Sequence, residues 1–459
     1  MAGRETKGRV LLVAYFFGDA GTGAFRWNEM TRHLMPVGWA FDVITRERGG
    51  TPAGGDTTAP SGVRVFAVAE PRWPVRLTNA PFEWAKAIKR RLRRPAPDRA
   101  TSPRPVRPEP IVERWPRVHV RFGQRLVRAI QSAGRLVGEL IWTWRATRVG
   151  TRLLRGGTYR AVIVSTPPHA AQLAGARLAR RFGIPLVADW RDPWYFGLPS
   201  SDYASHPTQI LLGRLCERSI MQRTSLALFC AEGSRQAAER LYRLNGRTVT
   251  LRNGYDVDPP VPRPDREAFR IVYAGALYPY HEVRALLGAC QRFRARHQTD
   301  AVPLRLEFMG AGHAFRGIPI ARLAEGYGLA DCLLEHGPGD RADALRLQQA
   351  AAVLVMFDHF HGLSVPTKFY DYVQLYGTPL AIGSPDGNLA QIATQVNVRV
   401  YEPTDAAGLD AAMDAAYARW TAYAYDAPTD AAGIFDRRHQ SARLAELLSG
   451  LEPPTKAGS

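Results

Sequence analysis

The chain has 459 residues, about three times the ~150 that a single domain typically holds, so two large domains with an insertion are expected rather than one core. Hydrophobic residues make up 46% of the chain and charged residues 22%, which excludes a disordered chain, and no apolar run reaches the roughly 18 residues of a membrane-spanning helix. The four cysteines lie far apart with no CxxC pair, which argues against a disulfide framework or a structural zinc site and favours a reducing, cytoplasmic compartment.

The first half of the chain alternates short apolar runs with stretches of helical periodicity, as in βα units around a parallel sheet. The apolar run at 10–17 imitates a signal peptide, but a glycine-rich turn follows it directly, so it is interpreted as a buried first strand. Predicted strands span residues 10–16, 41–45, 63–68, 161–165, 186–190, 226–231 and 248–251, with helices at 25–35, 170–182 and 234–244 among them.

A proline-rich break at 258–264 separates this half from a second one, where the same alternation restarts. Its predicted strands span residues 270–273, 305–309, 332–335, 352–357, 379–382 and 398–401. The pattern predicts an α/β chain with two parallel sheets, in domains over 1–257 and 265–425, followed by a C-terminal helix and tail over 426–459.

The net charge of +19 is concentrated in the first domain. From Arg72 to Arg160 the chain contains 22 Lys and Arg residues but 5 Asp and Glu, an excess of 17, while the rest is nearly neutral. Residues 71–118 are rich in Pro and Arg and are predicted to be irregular, within an insertion over 72–155. Apolar residues from Phe122 to Trp144 then recur at three- and four-residue steps, which predicts one long amphipathic helix.

This basic segment has three interpretations. It contains five of the ten tryptophans, and together with the Arg excess they suit the surface of an anionic bilayer, with the helix lying in the interface. A positive stripe also binds nucleic acid, although no recognised nucleic-acid-binding module accompanies it. In the third interpretation, the helix packs its apolar face on the first domain and the Arg side chains are solvated.

The loop after the first predicted strand, residues 18–23, contains three glycines and leads into a helix. Gly21 and Gly23 would let the backbone approach a ligand closely, and the free amides of a helix start favour an anion. The spacing is not GxGxxG, and a tight turn between strand and helix needs glycine in any case. Ligand binding and a purely structural turn therefore both stay open.

Two further loops of the first domain follow predicted strands. His169 ends the stretch Ser165-Thr-Pro-Pro-His, at the carboxyl edge of the sheet where open α/β folds bind ligands, so it is a candidate catalytic residue with a structural role as the alternative. Asp189, Arg191 and Asp192 lie at the end of another apolar strand, and charges this dense either form an internal Arg–Asp clamp or face a cleft. Asp192 is the better candidate for ligand contact because it lies farther beyond the strand.

The most informative stretch of the second half runs from Ser364 to Asp371. A turn of small residues leads into a helix there, so the amides from Ser364 to Thr367 could cradle a phosphate. Lys368 can add a point charge and is one of only five lysines in an arginine-rich chain. Asp371 lies one turn later on the same face and can accept two hydroxyls, as a ribose presents. The alternative is a capped helix with an ion pair between Lys368 and Asp371.

Six short motifs follow one another along the chain: residues 165–168 (STPP), 189–194 (DWRDPW), 251–256 (LRNGYD), 273–275 (YAG), 308–310 (FMG) and 366–372 (PTKFYDY). In this order, they resemble the motifs of the GT-B glycosyltransferases, specifically the retaining family 4 enzymes. The resemblance runs from Val10 to about Ala393, apart from the basic insertion.

The resemblance implies two Rossmann-like domains that face each other across a cleft, with the nucleotide-sugar bound mainly by the second and the acceptor by the first. It implies that Asp371 holds the ribose, that the amides from Ser364 to Thr367 contact the diphosphate, and that Gly275 and Gly310 belong to the same nucleotide site. It also places His169 near the reacting sugar.

Two features differ from the pattern of the family. Leu363 stands where the first of two family glutamates is expected, and Asp371 replaces the second. The stretch after Gly275 lacks the Arg and Lys that neutralise the diphosphate, a role that Lys368 could take.

The expected activity is transfer of a sugar from a nucleoside diphosphate sugar to a hydroxyl of a lipid-linked or polysaccharide acceptor. The expected setting is bacterial surface glycan synthesis at the inner face of the cell membrane. Lys368, His169 and Asp192 are the expected catalytic residues, with Lys368 stabilising the charge that develops on the leaving diphosphate. The fold family needs no metal or other cofactor for this step. A non-catalytic GT-B scaffold and a GT-B nucleotide-sugar epimerase are the alternatives.

Overall fold

The computed structural model describes residues 7–18, 22–47, 62–92, 122–197, 207–256, 261–278, 280–297, 303–310, 312–358 and 363–451. These residues form two compact units. The first unit contains the described residues up to 252 together with 437–451, and the second contains those from 253 to 436.

A seven-stranded parallel sheet forms the centre of the first unit, in the order β3-β2-β1-β4-β5-β6-β7. The chain moves outward from β1 to β3 and returns to β4, so the strand order reverses between β1 and β4. The strands are β1 (Gly8–Ala14), β2 (Trp39–Arg46), β3 (Arg64–Val68), β4 (Ala161–Ser165), β5 (Leu186–Trp190), β6 (Leu226–Phe229) and β7 (Thr248–Thr250).

Helices cover both faces of this sheet because its strands are apolar on both sides. In β1, Val10 and Leu12 pack into one core while the alternate residues Leu11 and Val13 pack into another, as the period of two in a strand requires. The helices are α1 (Thr22–Leu34), α2 (Trp73–Leu92), α3 (Phe122–Arg155), α4 (Ala171–Phe182), α5 (Pro207–Arg223) and α6 (Glu232–Tyr242). Residues of α1 belong to the first core, and residues of α3 and α4 to the second.

The second unit repeats this plan with a six-stranded parallel sheet in the order β12-β9-β8-β13-β14-β15, plus a small antiparallel pair, β10 and β11. Its strands are β8 (Phe269–Ala274), β9 (Leu304–Met309), β10 (Ala314–Phe315), β11 (Ile318–Pro319), β12 (Leu333–Glu335), β13 (Val353–Phe357), β14 (Thr378–Ile382) and β15 (Val400–Tyr401). Its helices are α7 (Val283–Arg296), α8 (Ile320–Gly326), α9 (Arg341–Gln349), α10 (Thr367–Val373), α11 (Asn388–Ala393) and α12 (Ala406–Ala422).

The last helix, α13 (Arg437–Ser449), returns to the first unit. Leu444 and Leu448 are fully buried in the same core as Trp27 and Met30 of α1. Gln440 accepts a hydrogen bond from the Arg252 amide with its side-chain oxygen at 3.1 Å. The first unit is therefore built from two separate parts of the chain.

The thirteen predicted strands are all present, with ends that shift by a residue or two. The predicted irregular segment is wrong where it overlaps 73–92, because these residues form α2, which packs along α3. The contact is close: a Cβ added to Gly134 of α3 would lie 2.2 Å from the Thr78 hydroxyl of α2. The predicted long helix is confirmed and continues to Arg155. Residues 93–121 of the predicted insertion lie outside the described residues.

Candidate functional site

The second unit presents its candidate site at the carboxyl edge of the sheet, between β8 and β13. The strand order reverses at this point, and open α/β sheets bind ligands in the crevice that such a reversal creates. Gly275 follows β8, Gly310 follows β9, and the segment from Leu363 to Pro366 leads into α10. Residues 359–362, directly after Asp358, are outside the described part of the chain.

Lys368 of α10 reaches back over this edge of the sheet. A Cβ added to Gly275 would lie 2.6 Å from the Lys368 Nζ, and Gly275 has a φ of +134°, which L side chains rarely adopt. The ammonium also lies 4.9 Å from the centre of the Tyr273 ring on β8. A side chain at 275 would therefore have to displace the end of the Lys368 side chain.

Burial lowers the pKa of Lys368 to about 8, and the neighbouring Asp371 carboxylate partly opposes this shift. An ammonium in this position gains from a nearby anion, because charge compensation offsets the lost hydration. Among the described residues, no carboxylate forms an ion pair with Lys368. The charge is therefore available to a ligand.

The loops after β8 and β9 are joined by short contacts. The Gly275 amide donates to the Met309 carbonyl at 2.7 Å, and the Gly275 carbonyl lies 3.1 Å from the His313 Nε2. A Cβ added to Gly310 would lie 2.9 Å from that same carbonyl, so Gly310 is required by backbone packing. His313 was not a sequence candidate, because nothing in its local pattern distinguishes it from an ordinary loop histidine.

Asp371 pairs with an arginine that the sequence analysis did not identify. The Arg341 Nη2 lies 2.8 Å from the Asp371 Oδ1. The alternative interpretation of this helix, a capped helix with an internal ion pair, predicts Lys368 as the partner of Asp371. Arg341 is the first residue of α9, whose N-terminus carries a capping box formed by Asp340 and Asp343. That motif predicts a helix start but not a contact with a residue thirty positions later. The carboxylate is oriented by this pair and keeps further lone pairs for hydroxyls.

The predicted phosphate cradle occupies the turn before α10. Ser364 is half-buried and Thr367, the first residue of the helix, is exposed. Pro366 is the N-cap residue and forms no side-chain cap to the helix amides. The helix has seven residues, so its dipole is small, and the nearby Lys368 supplies most of the positive potential.

In the first unit, a buried ion pair holds the carboxyl edge together. The Asp189 carboxylate, fully buried near the end of β5, accepts hydrogen bonds from Arg26 at 3.1 Å, from the Trp27 indole at 2.7 Å and from the Ser165 hydroxyl at 2.9 Å. Arg26 also donates to the Leu251 carbonyl beyond β7. The predicted Arg–Asp clamp is thus present, although its arginine comes from α1 rather than from position 191.

His169 and Asp192 lie together on this edge. The His169 Nε2 lies 3.0 Å from the Asp192 carbonyl oxygen, and its ring stacks on Trp194 at 5.0 Å between centroids. The ring is fully buried, which lowers the pKa of His169 to about 4, so the imidazole is neutral at pH 7. The Asp192 carboxylate is more exposed and pairs with Arg191 at 3.3 Å. In this conformation the Asp192 carboxylate is therefore accessible from solvent and the His169 ring is not.

The glycine loop after β1 is only partly described. Gly18 has a φ of +76°, and its amide donates to the Asn28 side chain at 2.8 Å. Gly23 lies in the first turn of α1, and Gly21 lies outside the described residues. The described part of this loop is thus organised by a contact with its own helix.

No group of three or more His, Cys, Asp or Glu side chains among the described residues is arranged to hold a metal ion. None of the described helices combines the length and the apolar composition needed to cross a bilayer.

Comparison with known proteins finds the same fold in several solved structures. No protein-family model matches the chain, and no curated protein matches it in sequence. Solved structures resemble it over nearly its whole length. HepE from Anabaena, in complex with UDP-glucose, has a TM-score of 0.57 and 13% identity, over 97% of this chain and 100% of that chain.

Two further structures agree with this result. Sucrose-phosphate synthase from Thermosynechococcus elongatus has a TM-score of 0.54 and 13% identity, over 96% of this chain and 98% of that chain. An E. coli structure described as trehalose-6-phosphate bound with UDP-2-fluoro glucose has a TM-score of 0.57 and 13% identity, over 97% and 100% of the two chains. At these identities the likeness shows the fold alone: two Rossmann-like units of the GT-B type.

Proposed function

We propose that this protein transfers a glycosyl group from a nucleoside diphosphate sugar to a hydroxyl, as a GT-B glycosyltransferase of the retaining family 4 type. The observation that carries the proposal is the Lys368 ammonium, which lies against Gly275 at the point where the strand order of the second unit reverses. A pyrophosphate at this edge would meet a positive charge and a backbone without side chains, as such a group requires.

In the proposed reaction, the leaving diphosphate gains negative charge as the glycosidic bond breaks. Lys368 and the amides from Ser364 to Thr367 stabilise that charge, which is the largest single contribution in reactions of this kind. Asp371, held by Arg341, accepts the ribose hydroxyls. Gly275 and Gly310 are the proposed glycines of the same nucleotide site, and the absence of a side chain at 275 leaves room for the Lys368 ammonium beside the diphosphate. The proposal includes no resident metal or cofactor, as the resemblance to the family implies.

The first unit takes the acceptor in this proposal, through the loops at its carboxyl edge. Asp192 is the group that an acceptor hydroxyl would contact, since its carboxylate is partly exposed. His169 is neutral at pH 7 and would act near the reacting sugar as a hydrogen-bonding group rather than as a cation. Gly21 and Gly23 are also proposed to contact the nucleotide-sugar through their backbone.

The proposed acceptor is lipid-linked or a polysaccharide, and the proposed setting is surface glycan synthesis in a bacterium, at the inner face of the membrane. The exposed apolar side chains of α2 and α3 support membrane association: Trp73, Leu77, Trp84 and Trp144 are each more than half exposed. Deletion of residues 86–118 is expected to weaken cosedimentation with anionic liposomes. Unchanged cosedimentation would count against a membrane role for that segment.

The decisive experiment tests whether Asp371 accepts hydrogen bonds from the ribose hydroxyls. A thermal-shift screen with UDP, GDP, ADP and TDP first identifies the base, and UDP is the leading candidate because two of the similar structures hold UDP-sugars. The Kd of the preferred diphosphate is then compared with that of its 2′,3′-dideoxy analogue. Wild-type protein is expected to prefer the ribose form by about tenfold or more, since one or two hydrogen bonds to a carboxylate are lost in the analogue.

Asp371→Asn is expected to lose this preference. Asp410→Asn is the matched control, because Asp410 forms a surface ion pair with Arg292 in the same unit. A wild-type protein that binds both nucleotides equally, or an Asp371→Asn variant with an unchanged preference, would contradict the proposed site. Transfer and donor hydrolysis by Lys368→Ala then separate an enzyme from a binding protein, since an enzyme loses activity and a scaffold has none. Conversion of the nucleotide-sugar without an acceptor would indicate an epimerase.

A further inference from the structure

A wide groove on the first unit is lined by arginines. It lies between α3, α4 and α5 and has a volume of about 1100 Å³. Three of its arginines come from α3 (Arg148, Arg152 and Arg155) and three from α4 (Arg177, Arg180 and Arg181), and Arg223 comes from α5. We name these seven residues the arginine groove.

Within the described part of the chain, the arginine groove contains no compensating charge. Its lining includes no Asp or Glu, all seven guanidinium groups are exposed, and none of them forms an ion pair with a described residue. Arginines of the second unit are often paired, by contrast: Arg270, Arg292 and Arg294, for example, each form an ion pair with a carboxylate. Seven like charges in one groove repel each other, so this surface is complementary to a polyanion.

Helix dipoles explain part of this cluster but not all of it. Five of the seven arginines lie in or directly beside the last turns of their helices, where a positive charge stabilises the C-terminus. Arg148 and Arg177 lie more than a turn before their helix ends, and the dipole effect falls off within one turn. These two residues need another explanation.

Exposed apolar side chains border the same groove. Trp144 is 54% exposed and Leu215 is 70% exposed, and both line it. The Arg148 guanidinium lies 4.2 Å from the centre of the Trp144 ring, which joins the charged and apolar parts of the surface. Of the sixteen large hydrophobic residues exposed among the described residues, ten lie on α2, α3 and α5. A soluble polyanion would use the charges but not these apolar side chains.

We propose that the arginine groove is a binding site for the phosphate headgroups of anionic bilayer lipids. The guanidinium groups bind phosphodiester oxygens, and Trp144, Leu211 and Leu215 enter the interfacial region beside them. This site deepens the membrane association proposed above and is independent of sugar transfer. It also differs from residues 86–118, the segment whose deletion tests the earlier proposal.

The position of the groove suits this role. Each of α3 and α4 ends just before the strand that follows it, so their C-termini lie at the amino edge of the sheet. His169 and Asp192 follow the carboxyl ends of β4 and β5, at the opposite edge. A lipid bound beside the C-termini of α3 and α4 therefore leaves the carboxyl edge of the sheet uncovered.

The test uses full-length protein and two kinds of vesicle, phosphatidylcholine alone and phosphatidylcholine with about 30% phosphatidylglycerol. The groove variant carries Arg148→Gln, Arg152→Gln and Arg177→Gln. The control variant carries Arg240→Gln, Arg243→Gln and Arg443→Gln, which remove the same charge from exposed positions of the first unit outside the groove. Thermal melting of each protein separates a binding effect from a loss of fold.

Wild-type protein is expected to bind the anionic vesicles and not the neutral ones. The groove variant should bind them about 100-fold more weakly, since each of the three arginines near an anionic surface contributes about fivefold, and the control should stay within about threefold of wild type. Added salt should release wild-type protein, which tests the charge effect without any variant.

Three results would overturn the inference. The first is equal vesicle binding by the groove variant and wild type, with a lower melting temperature of the variant as the only difference. The arginines would then serve to stabilise the ends of their helices. The second is tight binding of tripolyphosphate or an RNA oligomer by wild type without vesicle binding. The third is no binding of wild type to anionic vesicles, which would also end the membrane part of the proposed function. Nucleotide binding is measured in parallel, so failure of the groove is distinguishable from failure of the proposed transfer.

Discussion

At the carboxyl edge of β8, the Lys368 ammonium lies in a partly dehydrated position against Gly275, and its pKa is lowered to about 8. If it binds the diphosphate as proposed, the affinity depends on its protonated fraction. The Kd for the preferred nucleoside diphosphate is expected to rise about tenfold between pH 7 and pH 9, because most of the ammonium is lost over that range. Lys368→Arg should flatten the profile, since a guanidinium stays charged. Isothermal titration at several pH values measures this, and a constant wild-type Kd would exclude Lys368 from the diphosphate site.

Gly275 offers a second test at the scale of one residue. A Cβ at 275 would lie 2.6 Å from the Lys368 Nζ, so Gly275→Ala is expected to displace the ammonium and to weaken diphosphate binding at least tenfold. The matched control is Gly328→Ala in the same unit, at a φ of +66° with no atom within 4 Å of the added Cβ. Both variants carry backbone strain of about 1–3 kcal/mol, but only the first should lose affinity. Equal affinities would show that the glycine serves the fold alone.

Sequence reasoning found the site residues that belong to local motifs and missed those that are brought in from a distance. Lys368 and Asp371 were identified because they occupy one helix face after a strand, and lysine is rare in this chain. Arg341 and Arg26 were missed because their partners lie far away in the sequence, and no pattern of helix or strand encodes such a pair. Their contacts depend on how the strands are ordered.

At the scale of elements, α3 and α5 are joined by a buried polar contact. The Gln209 Nε2 donates to the Glu139 Oε2 at 2.7 Å, and burial raises the pKa of Glu139 to about 7. The protonated form is favoured in the folded state, so its stabilising contribution is complete below pH ~4.5, the usual value, and is lost as the pH rises through about 7.

Glu139→Gln should therefore stabilise the protein more at pH 8 than at pH 5, by up to about 3 kcal/mol, since glutamine stays neutral and keeps the contact. Melting curves at both pH values measure the difference. Glu446→Gln, at an exposed position on α13, is the control and should show no such pH dependence. A Glu139→Gln variant whose stability relative to wild type is the same at both pH values would contradict the raised pKa.

The same scale shows where pattern reading fails. The prolines near residue 73 favoured an irregular segment, yet α2 includes Pro74 in its first turn and Pro81 in its interior. The first turn of a helix tolerates a proline such as Pro74. The helix continues through Pro81 because it packs closely on α3 at Gly134. Tertiary packing of this kind outweighs local propensity and leaves no local signal. The strands were easier to predict, because a fully buried parallel strand is a continuous apolar run.

For the whole molecule, the alternation of strands and helices was enough to predict two parallel sheets, whereas the order of the strands within each sheet leaves no local signal in the sequence. The return of α13 to the first unit was not predictable, since its amphipathic face fits any apolar surface. The helix contributes Leu444 and Leu448 to the core that also contains Trp27.

Leu444→Ala is expected to destabilise the first unit by about 2–5 kcal/mol, because it leaves a cavity in a fully buried core. Leu447→Ala, on the same helix but only partly buried, should cost clearly less. Hydrogen exchange resolved by segment measures the effect, and protection in β1 and α1 should fall most. Equal losses from both substitutions would mean that α13 is not seated in that core.

Because the first unit is built from two separate parts of the chain, its sheet and its last helix are synthesised at different times. Its sheet emerges from the ribosome about two hundred residues before α13 does, so one apolar face of the nascent sheet stays incompletely covered until the residues of α13 have been synthesised. A fragment that stops at residue 252 is consequently a poor substitute for the native unit, and a fusion that carries residues 437–451 directly behind it is the form to express.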